Sequence, residues 1–404
     1  MNLPRIACVK LHRYFKPGFS TLSIGSLLLF IVSAMTISAC TTLYAGSRMQ
    51  PPDSASVIDL PVVKPGEMSS LAQVMKQSDG ARVVLVGETH TRYDHHLVQL
   101  EILKYLYQKS PDIALGVEWF QQPFQKYLDD YIAGEITEKE MLRLTEYFSR
   151  WNYDYRLFQP IMQFARENKI PIIALNAPRE LISALAESEF DELPPELKAQ
   201  IPESYDWSDK DYEKRLRDIY ELHPEYNGKF ENFMRSQLTW DESMAEQAVK
   251  YLQENPGARM LVLAGSGHIM FGSGIPNRIK RRIDVDQFTI LVSEDFLPIS
   301  SQIADYLVLS VEQSLPPAGL IGALLDTKGK LLIIEGFSNN SAVKDAGLEK
   351  GAVIIGVDDE PVENFSDFKF AIMKKQPGDT IDLHYLDNSE AGKKDRKSVS
   401  IQLR

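Results

Sequence analysis

The chain has 404 residues, enough for two domains of ordinary size. It carries 44 Lys and Arg residues against 56 Asp and Glu residues, a formal net charge of −12 at pH 7. A surface of this sign repels a phosphate backbone, so a nucleic acid is excluded as the expected partner.

The first 39 residues have the pattern of an export signal. A basic segment without acidic residues precedes an apolar run over residues 22–37, which is the order found in signal peptides. Ser38 and Ala39 then precede Cys40, and small residues before a cysteine resemble the lipobox of bacterial lipoproteins. We therefore predict a signal peptide over residues 1–39 and lipidation of Cys40, the first residue of the mature protein. The alternative is an uncleaved transmembrane anchor, since the apolar run approaches the length that spans a bilayer.

Cleavage before Cys40 would remove four basic residues and no acidic one. The mature chain would then have 40 Lys and Arg residues, 56 Asp and Glu residues and a net charge of −16. Cys8 lies in the signal and Cys40 takes the acyl chains, so no thiol is left for a disulfide. A protein in an oxidising compartment tolerates this if its core is large. Thr41 and Thr42 follow the cysteine instead of an acidic retention signal, which favours the outer membrane, with the protein facing the periplasm.

After the signal, residues 40–66 are rich in Pro, Ser and Thr and predict a flexible tether. Short β-rich runs then alternate with long helical stretches. The predicted strands are Arg82–Val86, Ile113–Val117, Pro171–Leu175, Met260–Leu263 and Gln287–Val292, and the predicted helical segments are Asp94–Gln108, Gln121–Asn168 and Glu231–Asn255. This order predicts an α/β fold, with a mostly parallel sheet and helices on both faces.

Two further segments divide the chain. Residues 180–223 are acidic and are interrupted by Pro194, Pro195 and Pro202, so we expect a helical cap over one end of the sheet. Pro316 and Pro317 mark a linker. The main domain is therefore expected over residues 67–310, and a small β-rich domain over residues 319–404.

Polar side chains follow the predicted strands at the edge where open α/β sheets bind ligands. They are Glu88, His90, Glu118, Asn176, Arg179 and His268. Because separate strands place ionisable groups on one edge, we expect His90, Glu118 and His268 to share a site. His95 and His96 follow Asp94 at a helix start and are predicted to be ordinary surface residues.

The segments LVGETHTRYDHH, GVEWFQQPFQKYLDDYIAGEIT, WNYDYRLFQPIMQFARENKIPIIALNAPRE, QLTWDESMAEQ and LAGSGHIMFGSGIPNRIKRR together resemble the ChaN-type haem-binding lipoproteins of the Tiki superfamily. The similarity runs from Leu71 to Pro298. It implies haem binding linked to iron acquisition, with Gly87–His90, Glu118 and Gly265–His268 as the matching motif positions. Related Tiki-type members are metal-dependent hydrolases with similar histidines and glutamates, which leaves a second class of function open.

For haem, the axial ligand is expected among imidazoles and phenols. The candidates are His90, His268, Tyr93, Tyr127, Tyr153 and Tyr155, with Asn176 and Arg179 as further contacts. The aromatic stretch of residues 151–155 would suit the wall of a haem site, although such clusters are also typical of a hydrophobic core.

For a metal-dependent hydrolase, the catalytic set would be Glu88, His90, Glu118 and His268. His90, Glu118 and His268 would then bind zinc or manganese, since imidazole and carboxylate suit these metals. A third alternative is an adaptor whose former active site has decayed.

The C-terminal segment resembles a bacterial PDZ domain in its Ser341–Leu348, Gly351–Val357 and Pro377–Asp379 motifs. It departs at Ala342, where proline is common, and at Ala352, where aspartate is usual. The resemblance implies peptide binding by strand addition, with a terminal carboxylate held by the backbone of Gly319, Leu320, Ile321 and Gly322. A scaffold module with an unused groove is the alternative. The expected partners are therefore haem, a peptide or protein C-terminus, the lipid membrane and a second copy in a homodimer.

Replacing Cys40 with Ser is expected to abolish acyl labelling and to release the protein from the membrane fraction, because the only proposed acylation site is lost. Metabolic labelling with a fatty acid and fractionation of cells measure both effects. Unchanged membrane retention would favour the uncleaved anchor instead.

Overall fold

The computed structural model describes residue 66 and residues 68–222, 228–293, 300–327, 331–387 and 396–404. The predicted signal peptide, Cys40 and nearly all of the tether lie outside these residues. Within the described ranges, no helix combines the length and the apolar character needed to cross a membrane.

The main domain is built on a six-stranded parallel sheet, as predicted. The strands are β1 (Val83–Glu88), β2 (Ile113–Gln121), β3 (Ile172–Asn176), β4 (Arg259–Gly265), β5 (Gln287–Ser293) and β6 (Tyr306–Leu309). Their spatial order is β3-β2-β4-β1-β5-β6. The short edge strand β6 was not predicted. Three of its residues are partly buried, and Leu309 is exposed. Strand β1 lies between β4 and β5 with Glu88 opposite Gly265, so the ends of β1 and β4 are aligned.

Eleven α-helices of the main domain are described. They are α1 (Leu71–Gln77), α2 (Tyr93–Lys109), α3 (Gln125–Ala133), α4 (Glu138–Leu144), α5 (Tyr147–Arg150), α6 (Gln159–Glu167), α7 (Arg179–Leu185), α8 (Pro195–Lys198), α9 (Lys210–Glu221), α10 (Phe230–Glu254) and α11 (Ile275–Arg282). The predicted helical segment of residues 121–168 is divided into α3 to α6. Gly134, in the left-handed region at φ 82°, ends α3, and the side chain of Thr137 caps α4.

Alternate residues of β1 enter two separate cores, one on each face of the sheet. Val84 and Val86 pack with α2 and the helices α3 to α6, whereas Val83 and Leu85 pack with α10 and α11. A parallel sheet covered on both faces must be apolar on both, and all six residues of β1 are buried.

The acidic segment folds into α7, α8 and α9, as the cap prediction requires. Tyr212 and Leu216 of α9 pack against the N-terminal half of α10 in a core of their own, which also contains Phe230 and Phe233. His223 lies outside the described residues.

The C-terminal domain is an antiparallel sheet with two helices. Its strands are β7 (Ala323–Asp326), β8 (Leu332–Phe337), β9 (Val353–Val357), β10 (Glu360–Pro361), β11 (Thr380–Leu386) and β12 (Arg396–Gln402), and its helices are α12 (Ala342–Asp345) and α13 (Phe365–Ile372). The order is β12-β11-β9-β8-β7, with β10 paired to β9. Met373 joins the main-domain core, and Lys139 lies 2.7 Å from Glu360 across the contact between the domains.

Replacing Gly87 with Ala is expected to destabilise the main domain. A methyl group there would lie 2.5 Å from Leu291 Cδ2 and 3.0 Å from the Ser266 Cα atom, so the buried Leu291 side chain or the loop after β4 must shift. Overpacking of this kind costs about 1–3 kcal/mol.

Gly80→Ala is the matched control, because its added methyl meets no atom within 4 Å. Its free energy of unfolding should stay within about 0.5 kcal/mol of the wild type. Urea denaturation measures both variants, and an equal effect of the two would contradict the packing argument.

Candidate functional site at the carboxyl edge of the sheet

Ionisable side chains at the ends of three different strands meet at the carboxyl edge of the parallel sheet. Glu118 lies near the end of β2, and His90 and His268 follow β1 and β4. His90 Nε2 lies 3.9 Å from Glu118 Oε1, and His268 Nε2 lies 3.5 Å from the same oxygen. All three residues are buried, with exposed fractions of 3% for His90 and 6% for Glu118 and for His268. The structure thus brings together the three residues that the sequence placed at this edge.

Each of the two imidazoles is held by a carboxylate at its other nitrogen. His90 Nδ1 lies 2.5 Å from Glu88 Oε1, and His268 Nδ1 lies 2.6 Å from Asp241 Oδ1. A carboxylate can only accept a hydrogen bond, so each ring donates from Nδ1. Both rings therefore direct Nε2 toward Glu118.

Asp241 was missed in the sequence, although a signal was present. It lies in α10 on the same face as Leu238, Ala245 and Ala248, at the three- and four-residue spacing of an apolar stripe, and it is fully buried. An acidic residue in such a stripe needs a buried partner, and His268 is that partner.

Glu118 is ionised in spite of its burial. Burial alone would raise its pKa, but His268 and His90, together with the N–H of Gly265, lower the pKa of Glu118 to about 2. That N–H donates to Glu118 Oε2 at 2.7 Å. Burial likewise opposes the charge of Glu88, whose pKa is nevertheless lowered by His90 and His96.

The prediction that His95 and His96 lie on the surface is wrong. Both are buried, because the first turn of α2 packs inward beneath the loop that carries His90. His95 Nδ1 accepts a hydrogen bond from the N–H of Thr89 at 3.1 Å, and His96 Nε2 lies 3.1 Å from the carbonyl oxygen of His90. The two rings therefore fix the backbone N–H of Thr89 and the backbone carbonyl of His90, at the start of this loop.

The aromatic stretch is divided between the site and the core. The rings of Trp151 and Tyr153 lie 4.9 and 5.0 Å from the ring of His90, centroid to centroid. Tyr155 is fully buried and its hydroxyl donates to Glu138 at 2.9 Å, so this predicted cofactor contact is a core residue instead. Of the two tyrosines in this stretch, only Tyr153 lies against a site histidine.

The remaining predicted contacts lie at different distances from this centre. Asn176, at the end of β3, donates from Nδ2 to the carbonyl oxygen of Glu118 at 2.9 Å and so belongs to the site. Arg179 begins α7, and burial together with the neighbouring Arg150 lowers the pKa of its guanidinium. Tyr93 begins α2 and is partly buried against the core.

Tyr127 lies on α3, with its ring 6.4 Å from that of Phe124. The guanidinium of Arg150 lies 4.8 Å from the same Phe124 ring and is ion-paired with Glu180. Tyr127 is therefore connected through Phe124 to the Arg150–Glu180 ion pair.

Several buried polar atoms around the site have no hydrogen-bond partner within the part of the chain that is described. They include Thr89 Oγ1, Trp151 Nε1, Asn176 Oδ1 and Ser266 Oγ. Buried polar groups are normally paired, so their concentration here fits a site that holds a ligand or water. Across the same described ranges, no group of three or more His, Cys, Asp or Glu side chains is arranged to hold a metal ion. The predicted metal-ligand set of His90, Glu118 and His268 is therefore present as hydrogen-bonded and ion-paired groups, without metal-site geometry.

The chain belongs to the ChaN family of the Tiki superfamily, described as haem-binding uptake proteins, which matches residues 74–279. A PDZ domain matches residues 312–386. Both agree with the resemblances noted in the sequence. None of the curated proteins gave a match to this chain.

Three solved structures are similar in part. Cofacial haem-binding ChaN of Campylobacter jejuni is 19% identical, with a TM-score of 0.49, over 60% of this chain and 92% of that one. The PDZ domain of the carboxy-terminal protease from Vibrio cholerae, in complex with a peptide, is 23% identical, with a TM-score of 0.19, over 22% of this chain and 95% of that one. An erythromycin esterase mutant is 16% identical, with a TM-score of 0.35, over 56% of this chain and 74% of that one.

Replacing His95 with Asn is expected to reduce the pH dependence of stability. Burial lowers the pKa of His95 to about 4, although the nearby carboxylates of Glu88 and Asp94 act to raise it. Between pH 6.5 and 4 the unfolded state therefore takes up a proton that the folded state does not, so the wild type loses stability as pH falls. The loss from this one group approaches about 3 kcal/mol at pH 4.

The asparagine side chain of the His95→Asn variant offers an amide oxygen to the N–H of Thr89 but does not titrate. Urea denaturation at pH 7 and pH 4.5 should therefore show a smaller loss of stability for His95→Asn than for the wild type. Parallel losses in the two proteins would show that His95 is not the group that titrates.

Proposed function

We propose that this protein binds haem at the carboxyl edge of its parallel sheet, with an imidazole as the axial ligand. The single observation that carries the proposal is the pair of buried histidines, each fixed by a carboxylate at Nδ1 and directed toward one point at Nε2. Membership of the haem-binding family supports the choice of ligand.

The carboxylates give these imidazoles the properties of good iron ligands. A hydrogen bond from Nδ1 to a carboxylate fixes the tautomer and the ring orientation, and it raises the basicity of Nε2. Haem iron takes an imidazole or a phenolate axially, and Tyr153 is the phenol whose ring centroid lies 5.0 Å from that of His90. We assign His90 or His268 as the ligand, with Trp151 and Tyr153 as apolar contacts of the macrocycle. Bound haem would supply the iron that the proposed uptake role carries.

Binding of haem requires a change in the residues that cover the histidines. His90 is only 3% exposed, and the rings of Trp151 and Tyr153 stand against it. A flat ligand as large as haem reaches the iron-binding nitrogen only if this aromatic cover or the cap moves aside. Closure over a bound ligand would then keep water from the iron.

The second candidate function is acid–base hydrolysis at the same residues. The specific observation is that an ionised Glu118 lies between two imidazoles, each paired with a carboxylate, which is suited to moving a proton from a bound water. In this alternative, His90 or His268 acts as general base, with Glu88 and Asp241 as the groups that orient the rings.

We further propose that the C-terminal domain recruits a peptide through the edge of strand β7. Leu320 and Leu324 are each 59% exposed there, although large apolar side chains are usually covered. The N–H groups of Gly319 and Leu320 already donate to the carbonyl oxygens of Lys375 and Arg404. A peptide carboxylate is therefore proposed to meet the amides of Ile321 and Gly322 instead of all four predicted residues.

The location of the protein completes this proposal. Acylated Cys40 would anchor the chain in the outer membrane, facing the periplasm, with residues 41–66 as the tether. This location suits a protein that receives haem as it enters the periplasm. A homodimer stays a prediction.

Hemin titration of the purified full-length protein is expected to give a saturable Soret shift. Replacing the axial histidine by Ala, in either His90→Ala or His268→Ala, should weaken binding at least about tenfold, which is about 1.4 kcal/mol, and change the spectrum. Tyr153→Phe tests the phenol in the same way. Absorption spectroscopy and equilibrium titration measure both effects.

Tyr155→Phe and His384→Ala are the matched controls, since Tyr155 bonds to Glu138 in the core and His384 lies in the C-terminal domain. Both should bind hemin as the wild type does. If every variant binds hemin equally, the binding is non-specific and the haem proposal fails. If the wild type cleaves an ester or a peptide and the Glu118→Gln variant does not, the hydrolase function replaces the haem proposal.

A further inference from the structure

The carboxylate that orients His268 also accepts a hydrogen bond from the cap. Asp241 is fully buried on α10. Its Oδ1 lies 2.6 Å from His268 Nδ1, and its Oδ2 accepts a hydrogen bond from the hydroxyl of Tyr212. Tyr212 lies on α9, so a single carboxyl group joins the cap helix to the candidate site.

The two hydrogen bonds are linked by the geometry of the carboxyl group. Its two oxygens lie in one plane with the carboxyl carbon, so a donor that fixes Oδ2 also fixes the direction of Oδ1. Without Tyr212, Asp241 could rotate about its side-chain bonds, and the ring of His268 would follow. The position of α9 on α10 therefore sets the orientation of His268.

The hydroxyl of Tyr212 is suited to this role. Burial and the nearby charge of Asp241 raise the pKa of Tyr212 well above its usual value, so the group stays a donor. The guanidinium of Arg278, also fully buried, lies 5.1 Å from the centroid of the Tyr212 ring. The ring is thus held on its face as well as at its hydroxyl.

The same cap helix holds the loop on the other side of His268. Arg215 of α9 donates to Ser273 Oγ at 2.5 Å, and its guanidinium lies 4.6 Å from the ring centroid of Phe271. This loop folds back tightly, since a methyl group on Gly274 would lie 2.1 Å from the carbonyl oxygen of His268. Helix α9 therefore contacts the surroundings of His268 at two points.

We propose that Tyr212 is a positioning residue of the candidate site, which orients His268 through Asp241 and makes the seating of the cap helix part of ligand binding. The effect on haem rests on the proposed function, whereas the effect on the His268 ring does not. A cap that moves away would release Asp241 and change the direction of the imidazole.

The test compares Tyr212→Phe with Tyr205→Phe in the full-length protein. Tyr205 is the matched control, because its hydroxyl lies 2.9 Å from Thr239 Oγ1 on the same helix α10 and makes no bond to Asp241. The ring nitrogens of ¹⁵N-labelled histidines are observed by NMR without any ligand, and His268 is assigned from the spectrum of His268→Ala. We expect Tyr212→Phe to shift the His268 ring resonances and Tyr205→Phe to leave them in place.

Hemin binding is then measured with the same proteins. Where the His268→Ala variant identifies His268 as the iron ligand, Tyr212→Phe should weaken binding about three- to tenfold and shift the Soret band. It should then have no further effect in a His268→Ala background. A purely structural role would lower the melting temperature in both Tyr→Phe variants without changing the His268 resonances or the Soret band.

The protonation of His268 in the wild-type spectrum gives a test that does not depend on the Tyr212→Phe variant. His268 must carry a proton on Nδ1, because Asp241 can only accept. A proton on Nε2 alone would overturn the proposal, and so would His268 resonances that Tyr212→Phe leaves unchanged. If Tyr212→Phe shifts those resonances while none of the site variants changes hemin binding, the positioning role stands and the haem function fails.

Discussion

The structure depends on keeping ionised carboxylates buried at the ends of parallel strands. Removing a carboxylate from water costs several kcal/mol unless hydrogen bonds and opposite charge offset it. Glu118 has these from the N–H of Gly265 and from two imidazoles. Those partners come from β4, from the loop after β1 and from the turn after β4, so the sheet register must be correct before the charge can be accommodated.

The support for this centre spreads outward through successive contacts. His95 and His96 fix the loop that carries His90, and Asp241 fixes His268. Tyr212 extends the second chain of contacts into the cap. A ligand that moves the cap or the aromatic cover therefore acts on groups that hold the imidazoles, which couples binding to the shape of the site.

The C-terminal domain packs on the main domain close to α5, the helix that directly precedes the aromatic cover of Trp151 and Tyr153. Met373 enters the main-domain core, and Phe365 and Phe370 of α13 pack against it. Helix α5, which α13 contacts, ends at Arg150, and the chain passes directly from there to Trp151. The C-terminal domain and the aromatic cover of the candidate site thus pack against the same hydrophobic core.

The sequence by itself determined the parallel sheet, the capping segment, the PDZ domain and the identity of His90, Glu118 and His268. Strand patterns lie within short stretches of sequence, and ligands bind at the carboxyl ends of parallel strands, so the sequence alone places these residues at one edge. It placed His95 and His96 on the surface and overlooked Asp241 and Tyr212. Only the tertiary structure decided these roles. His95 and His96 are buried because the first turn of α2 packs inward, and Asp241 and Tyr212 bond to partners on other elements. Asp241 and His268 are 27 residues apart, and Tyr212 and Asp241 are 29 apart.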